Sequence, residues 1–153
     1  MIKNIKPFLI LFVFLIGCGF SPVLKSSKID FSIEKIETFG DKKINAKIIS
    51  GLENYKNNID KKKKYYLNII SSQNKIITSK DTKGDPKTYK IEIDVTVRVS
   101  DIDNLINERE FIEETTYNTI SSKFELGIYE NNISNNLVEK ITRDIIAFIS
   151  SIQ

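Results

Sequence analysis

The chain has 153 residues and is 41% hydrophobic, enough for one packed domain and too apolar for disorder throughout. It has no histidine and a single cysteine, Cys18. That composition excludes Ser-His-Asp triads, Cys-His pairs, His-ligated metal sites and any intrachain disulfide. Basic residues number 23 against 20 acids, and loss of Lys3 and Lys6 with a leader would leave a net charge of +1. Such a balance is no footprint of a nucleic-acid binder.

Residues 1–17 read as a secretory signal. Lys3 and Lys6 supply the basic start, and Phe8 to Ile16 form an unbroken apolar run. About nine helical residues rise only ~14 Å, half of a ~30 Å hydrocarbon core, so the run is too short to span. It ends in Leu15-Ile16-Gly17-Cys18, which resembles the bacterial lipobox. Thiol chemistry explains the residue types: the Cys18 sulfur accepts a diacylglycerol, and small Gly17 lets a peptidase reach the bond before it. Further acylation, typically with a palmitate-like chain, then makes the anchor stable, each buried CH₂ adding ~0.8 kcal/mol. Gly19 rather than aspartate follows Cys18, which favours the outer membrane.

Residues 18–28, with Ser21, Pro22, Ser26 and Ser27, read as a lipidated tether, and residues 29–153 as one domain. Ile29, Phe31 and Ile33 alternate with polar residues in the period of a half-buried strand. Gly40-Asp41 breaks it, and Asp41 is a candidate N-cap. Ile44, Ile48, Leu52, Tyr55 and Ile59 then place one apolar stripe on a helix of about 17 residues. Gly51 inside it costs ~1 kcal/mol relative to alanine, which points to a close packing contact. Lys61 to Lys64 read as a solvated loop at the negative end of that helix, in preference to a contact for phosphates of an anionic lipid.

Tyr65 to Lys80 is strand-like, and the loop Asp81 to Pro86 leads into the clearest strand. There Tyr89, Ile91, Ile93, Val95, Val97 and Val99 alternate with Lys90, Glu92, Asp94, Thr96, Arg98 and Ser100. One face is core and the other wet, as in an antiparallel sheet covered on one side. Charge pairing across strands accounts for the wet face better than acid–base catalysis. Asp101 to Asn104 turns the chain into a weaker strand over 107–120. A long final helix carries Ile133, Leu137, Ile141, Ile145, Phe148 and Ile152, with Val138 and Ile149 widening the stripe. The order β-α-β-β-β-α predicts an α+β two-layer sandwich: a four-stranded, mainly antiparallel sheet with two helices on one face. No catalytic residue, cofactor or metal site is expected.

Gly17-Cys18-Gly19-Phe20 followed by Pro22 resembles the start of the lipopolysaccharide-assembly lipoproteins, the LptE family. The element order is also similar, as is a loop ending in Gly84 with Tyr89 opening an alternating strand five residues later. The resemblance implies an outer-membrane lipoprotein on the periplasmic side, seated in an LptD-type β-barrel and assisting lipopolysaccharide insertion. It also implies a basic residue in the hairpin, where this chain has Thr82; Lys80 or Lys83 would substitute, and Lys123 lies near the start of the last helix. The expected partners are therefore that barrel, lipopolysaccharide and, through Cys18, the membrane. An accessory lipoprotein of an ABC-type envelope lipid transporter would use the same anchor and a similar small fold.

Overall fold

The computed structural model describes residues 30–152, so the leader, Cys18 and the tether lie outside the described residues. Strand β1 (Phe31–Gly40) leads into helix α1 (Lys42–Leu52) and a 3₁₀ turn (Glu53–Tyr55). Three long strands follow, β2 (Lys63–Lys80), β3 (Pro86–Ser100) and β4 (Leu105–Asn118), and then helix α2 (Lys123–Ser151). The sheet order is β1-β2-β3-β4, with β1 parallel to β2 and the other pairs antiparallel. The parallel pair requires a crossover, and α1 supplies it.

Alternation fixes which face is core. Ile91, Ile93, Val95, Val97 and Val99 are all buried at 1% exposure or less, packed with Leu67, Ile69 and Phe111 of the neighbouring strands. Ile44, Ile48 and Leu52 of α1 and Val138, Ile141, Ile145, Phe148 and Ile149 of α2 close the layer. The other sheet face carries the cross-strand pairs that charge alternation predicts. Lys90 Nζ lies 2.7 Å from both Glu92 and Glu114, and Arg98 pairs with Glu108. Hydrogen bonds donated to Glu114 and then to Glu92 hold the Lys90 ammonium above the usual lysine range, and the bond accepted from Lys90 holds Glu92 below the usual carboxylate range.

β1 stops where it must turn into α1. Gly40 has φ +91°, and a Cβ there would lie 1.9 Å from the Ser71 carbonyl oxygen, so a side chain is excluded. Asp41 then caps α1, its Oδ1 accepting from the Lys43 and Ile44 amides at 2.8 and 3.0 Å. Buried Asn45 locks the corner: it donates to the Phe39 carbonyl at 3.0 Å and accepts from the Ser71 hydroxyl at 2.8 Å. Gly51 is where the two helices meet, since a Cβ would stand 2.6 Å from Thr142 Cγ2.

Two expectations are corrected. The helix does not run to Ile59: α1 ends at Leu52, Tyr55 sits in the 3₁₀ turn against the core, and Ile59 is 91% exposed. The chain is drawn back along β1 instead, through the Lys56–Ile33 bridge and the Asn58 amide donating to Ser32 Oγ at 2.9 Å. Lys61 to Lys64 are accordingly not at a helix end. Lys63 and Lys64 open β2 beside Phe31 and Ser32, and Lys64 pairs with Glu34 at 3.5 Å.

Candidate functional site

The β2–β3 hairpin is set by one side chain. Asp81 Oδ1 accepts from the Lys83 and Asp85 amides at 2.8 and 2.9 Å, while Gly84 N–H donates to the Asp81 carbonyl at 3.1 Å. This Asx-type turn fixes the loop without a long connection. Lys80 ends β2 and Lys83 stands in the turn, both exposed. Lys123 reaches the same end of the sheet by another route. Thr88 pairs with Asn118, and the Thr119 amide donates to the Lys87 carbonyl at 2.9 Å, so β4 leaves the sheet beside the hairpin base. Ser122 then caps α2, accepting from the Glu125 amide at 3.3 Å, and Lys123 is the first helical residue.

The fold thus gathers Lys80, Lys83 and Lys123 at one end of the sheet, and among the described residues none of the three ammonium groups is in an ion pair. Lys87 joins them, a residue that sequence reasoning did not single out. An exposed end with several unpaired ammonium groups can meet phosphate or carboxylate groups at a surface, each contact modest and weakened by salt. It offers no nucleophile or base in a closed site. Among the described residues no cluster of acids or cysteine fits a metal ion, and no helix is long and apolar enough to cross a membrane.

Beneath the hairpin lies a cluster that sequence reasoning missed. Tyr89 and Tyr117 are cross-strand partners with stacked rings 5.7 Å apart, and Tyr129 of α2 meets Tyr117 edge-on at 5.9 Å. Lys75 Nζ lies 4.2 Å from the Tyr89 ring centroid and 2.6 Å from Glu130 Oε1. The Tyr117 hydroxyl donates to the same Glu130 oxygen at 2.8 Å. Burial pushes the Tyr117 phenol well above the ordinary tyrosine range, and the bond to Glu130 adds to the rise. The cluster fastens α2 to the hairpin half of the sheet. The register signal was the aromatic at position 117, opposite position 89, visible only once the β3–β4 pairing is known. Beside it, a groove of about 500 Å³ opens between the start of α1, β2 at Gln73 and the face of α2 carrying Gly127, Asn131 and Ser134.

No known family profile matches the sequence, and no curated protein matches it either. Solved structures do match the fold. The crystal structure of rare lipoprotein B from Shewanella oneidensis has a TM-score of 0.59 at 12% identity, covering 77% of this chain and 95% of that one. A minor lipoprotein from Acinetobacter baumannii gives 0.57 at 15% identity, over 77% and 91%. The solution structure of an uncharacterized lipoprotein B from Nitrosomonas europaea gives 0.56 at 14% identity, over 82% and 90%. The α+β sandwich is therefore shared with these lipoproteins over nearly their whole length and about four-fifths of this chain.

Proposed function

We propose that this protein is an outer-membrane lipoprotein, held on the periplasmic side through Cys18, that seats in and helps assemble an LptD-type barrel. In that role it supports lipopolysaccharide insertion into the outer leaflet. One conjunction carries the reading: a chain with Leu15-Ile16-Gly17-Cys18 and an LptE-like start to its mature part has the fold of solved lipoprotein B and minor lipoprotein structures. The role is non-catalytic, a plug and chaperone of a translocon, and the exposed lysines at the hairpin end suit contact with lipopolysaccharide phosphates.

Depletion in cells tests it. Correctly assembled barrel and surface lipopolysaccharide should both fall, and cross-linking from intact outer membranes should retain the barrel. Normal barrel levels with an inner-membrane ATPase complex as the cross-linked partner would replace the reading with that of an accessory lipoprotein of a lipid transporter. The anchor is tested separately: Cys18→Ala should abolish incorporation of a labelled fatty acid. For the lysines, Lys80→Glu with Lys83→Glu should weaken lipopolysaccharide binding about tenfold or more at low salt. The effect should shrink at physiological salt, where the Debye length is ~8 Å. Unchanged binding would remove those lysines, with Lys123 next to be changed, and leave the barrel partnership standing.

A further inference from the structure

Sheet edges are protected in most proteins, and here two of the exposed stretches are. β4 carries Glu108, Arg109, Glu110, Glu113 and Glu114 along its length, a charge density that opposes pairing with another strand. β1 is bridged at Ile33 by Lys56 and carries the Lys35–Glu37 ion pair at 2.7 Å. The third stretch has neither guard. β1 reaches only as far as Gly40 opposite Ser71, and β2 continues to Lys80 with no strand on that side among the described residues.

The backbone there is set for a new strand. The Asp41 amide donates to the Ser71 carbonyl at 3.1 Å, so Ser71 turns its main-chain groups toward β1. Alternation then turns the N–H and C=O groups of Gln73, Lys75 and Ile77 to the same, open side, while the even residues bond to β3. The stretch from Ser72 to Ile77 holds one lysine, no proline and no glycine, and Ile76 and Ile77 are 43% and 46% exposed. A bulge between Ile77 and Ser79 ends it, with Ser79 Oγ and Thr88 Oγ1 2.7 Å apart. Space is present where the edge begins: the 500 Å³ groove meets β2 at Gln73, and a Cβ on Gly127 in its α2 wall would meet nothing within 4 Å.

Charge selects the occupant. The groove's acids are already engaged: Asp41 caps α1, and Glu130 accepts from Lys75 and Tyr117. Lys42 and Lys43 line its α1 side, and Lys80 ends β2 beyond the open edge, all three without an ion pair among the described residues. We propose that the β2 edge over Gln73–Ile77 is a strand-addition site that takes an extended acidic segment of a partner protein. Its main chain bonds to Gln73, Lys75 and Ile77, and its carboxylates meet Lys42, Lys43 and Lys80. This is recognition by β-addition, in which backbone bonds give affinity and flanking charges give selectivity. It stands apart from the barrel reading, since it needs neither a lipid anchor nor lipopolysaccharide.

The test uses the full chain in detergent with a blocked peptide of about seven residues alternating glutamate and valine, and a lysine–valine counterpart. Amide hydrogen exchange followed by NMR should show Gln73, Lys75 and Ile77 gaining protection with the acidic peptide and not with the basic one. Ile77→Pro removes an outward donor while sparing the bonds to β3, so the domain should stay folded and lose binding. Lys42→Glu with Lys43→Glu, exposed changes that spare the sheet, should weaken binding about tenfold or more at low salt. Equal binding of both peptides, or undiminished binding by a folded Ile77→Pro chain, would overturn the proposal. So would the same three amides being protected without peptide in a dimer, which makes the occupant a second copy. Protection by phosphatidylglycerol vesicles in place of the acidic peptide would overturn it in favour of a lipid surface.

Discussion

The two halves of the sheet are covered differently. Toward the start of β2, both helices lie on it, and Ile33, Ile48, Leu52, Ile69 and Val97 are wholly buried. Toward the hairpin only α2 remains, and the layer is fastened by rings and charges around Tyr117 and Glu130. Element length explains the contrast. α1 has 11 residues and reaches about 16 Å, α2 has 29 and reaches about 43 Å, and β2 has 18 and reaches about 60 Å. A short helix cannot close a long strand. The half it leaves bare gathers the unpaired lysines, the groove and the open edge, while the closed half supplies the stability.

The largest expected effect lies where the two halves join. Val95→Asp would place an unpaired carboxylate among Ile93, Val97 and Phe111, costing several kcal/mol against a total of ~5–15, so the domain should be unfolded by circular dichroism at 25 °C. Thr96→Asp, on the wet face, should melt close to wild type. Equal melting of the two variants would show the register to be wrong. Next comes a pair on one strand and one face. Ile69→Ala, in the closed half, should cost about 2–5 kcal/mol in urea unfolding. Ile77→Ala, 46% exposed, should cost under about 1 kcal/mol. Similar losses would erase the contrast between the halves.

A smaller effect sharpens what closes the first half. Gly51→Ala gains helix propensity but drives a Cβ into Thr142 Cγ2, and overpacking should win by about 1–2 kcal/mol. In a Thr142→Ser background the offending methyl is gone, and the same change should turn neutral or stabilising. A loss that persists there would place the strain elsewhere.

The same contrast decides what could be read from residues alone. β3 was legible because one of its faces is buried from Ile91 to Val99, and the Asp41 cap and Gly51 contact follow from local chemistry. The end of α1 was not. Apolar spacing continues to Ile59, but Asn57 at φ 52° and the Ser32–Asn58 bond turn the chain back, and both belong to tertiary pairing. β4 read weakly because, of its residues, only Phe111 and Tyr117 are buried. The lysine end was legible at Lys80, Lys83 and Lys123 individually. Their common placement depends on the Thr88–Asn118 register, and the groove depends on where β1 stops, which no periodicity records.

The smallest effect belongs to the hairpin half and is read as a pH dependence. Tyr117 is 5% exposed, and its phenol is raised first by burial and then by its bond to Glu130. A group whose folded pKa lies above its unfolded value binds its proton more tightly in the native state. Its contribution is therefore intact below the unfolded value near pH ~10 and is lost as pH rises beyond it. Tyr117→Phe should cost about 0.5–1.5 kcal/mol at pH 7, the worth of one hydrogen bond, because Lys75 still partners Glu130. Between pH 10 and 11.5 wild type should lose stability more steeply than the variant, so that the two urea midpoints converge. Tyr65, raised by burial alone in both chains, contributes equally and drops out of the difference. Parallel midpoints across that range would mean that the Tyr117 hydroxyl does not fasten the hairpin half, and that the ring at position 117, between Tyr89 and Tyr129, holds α2 there without it.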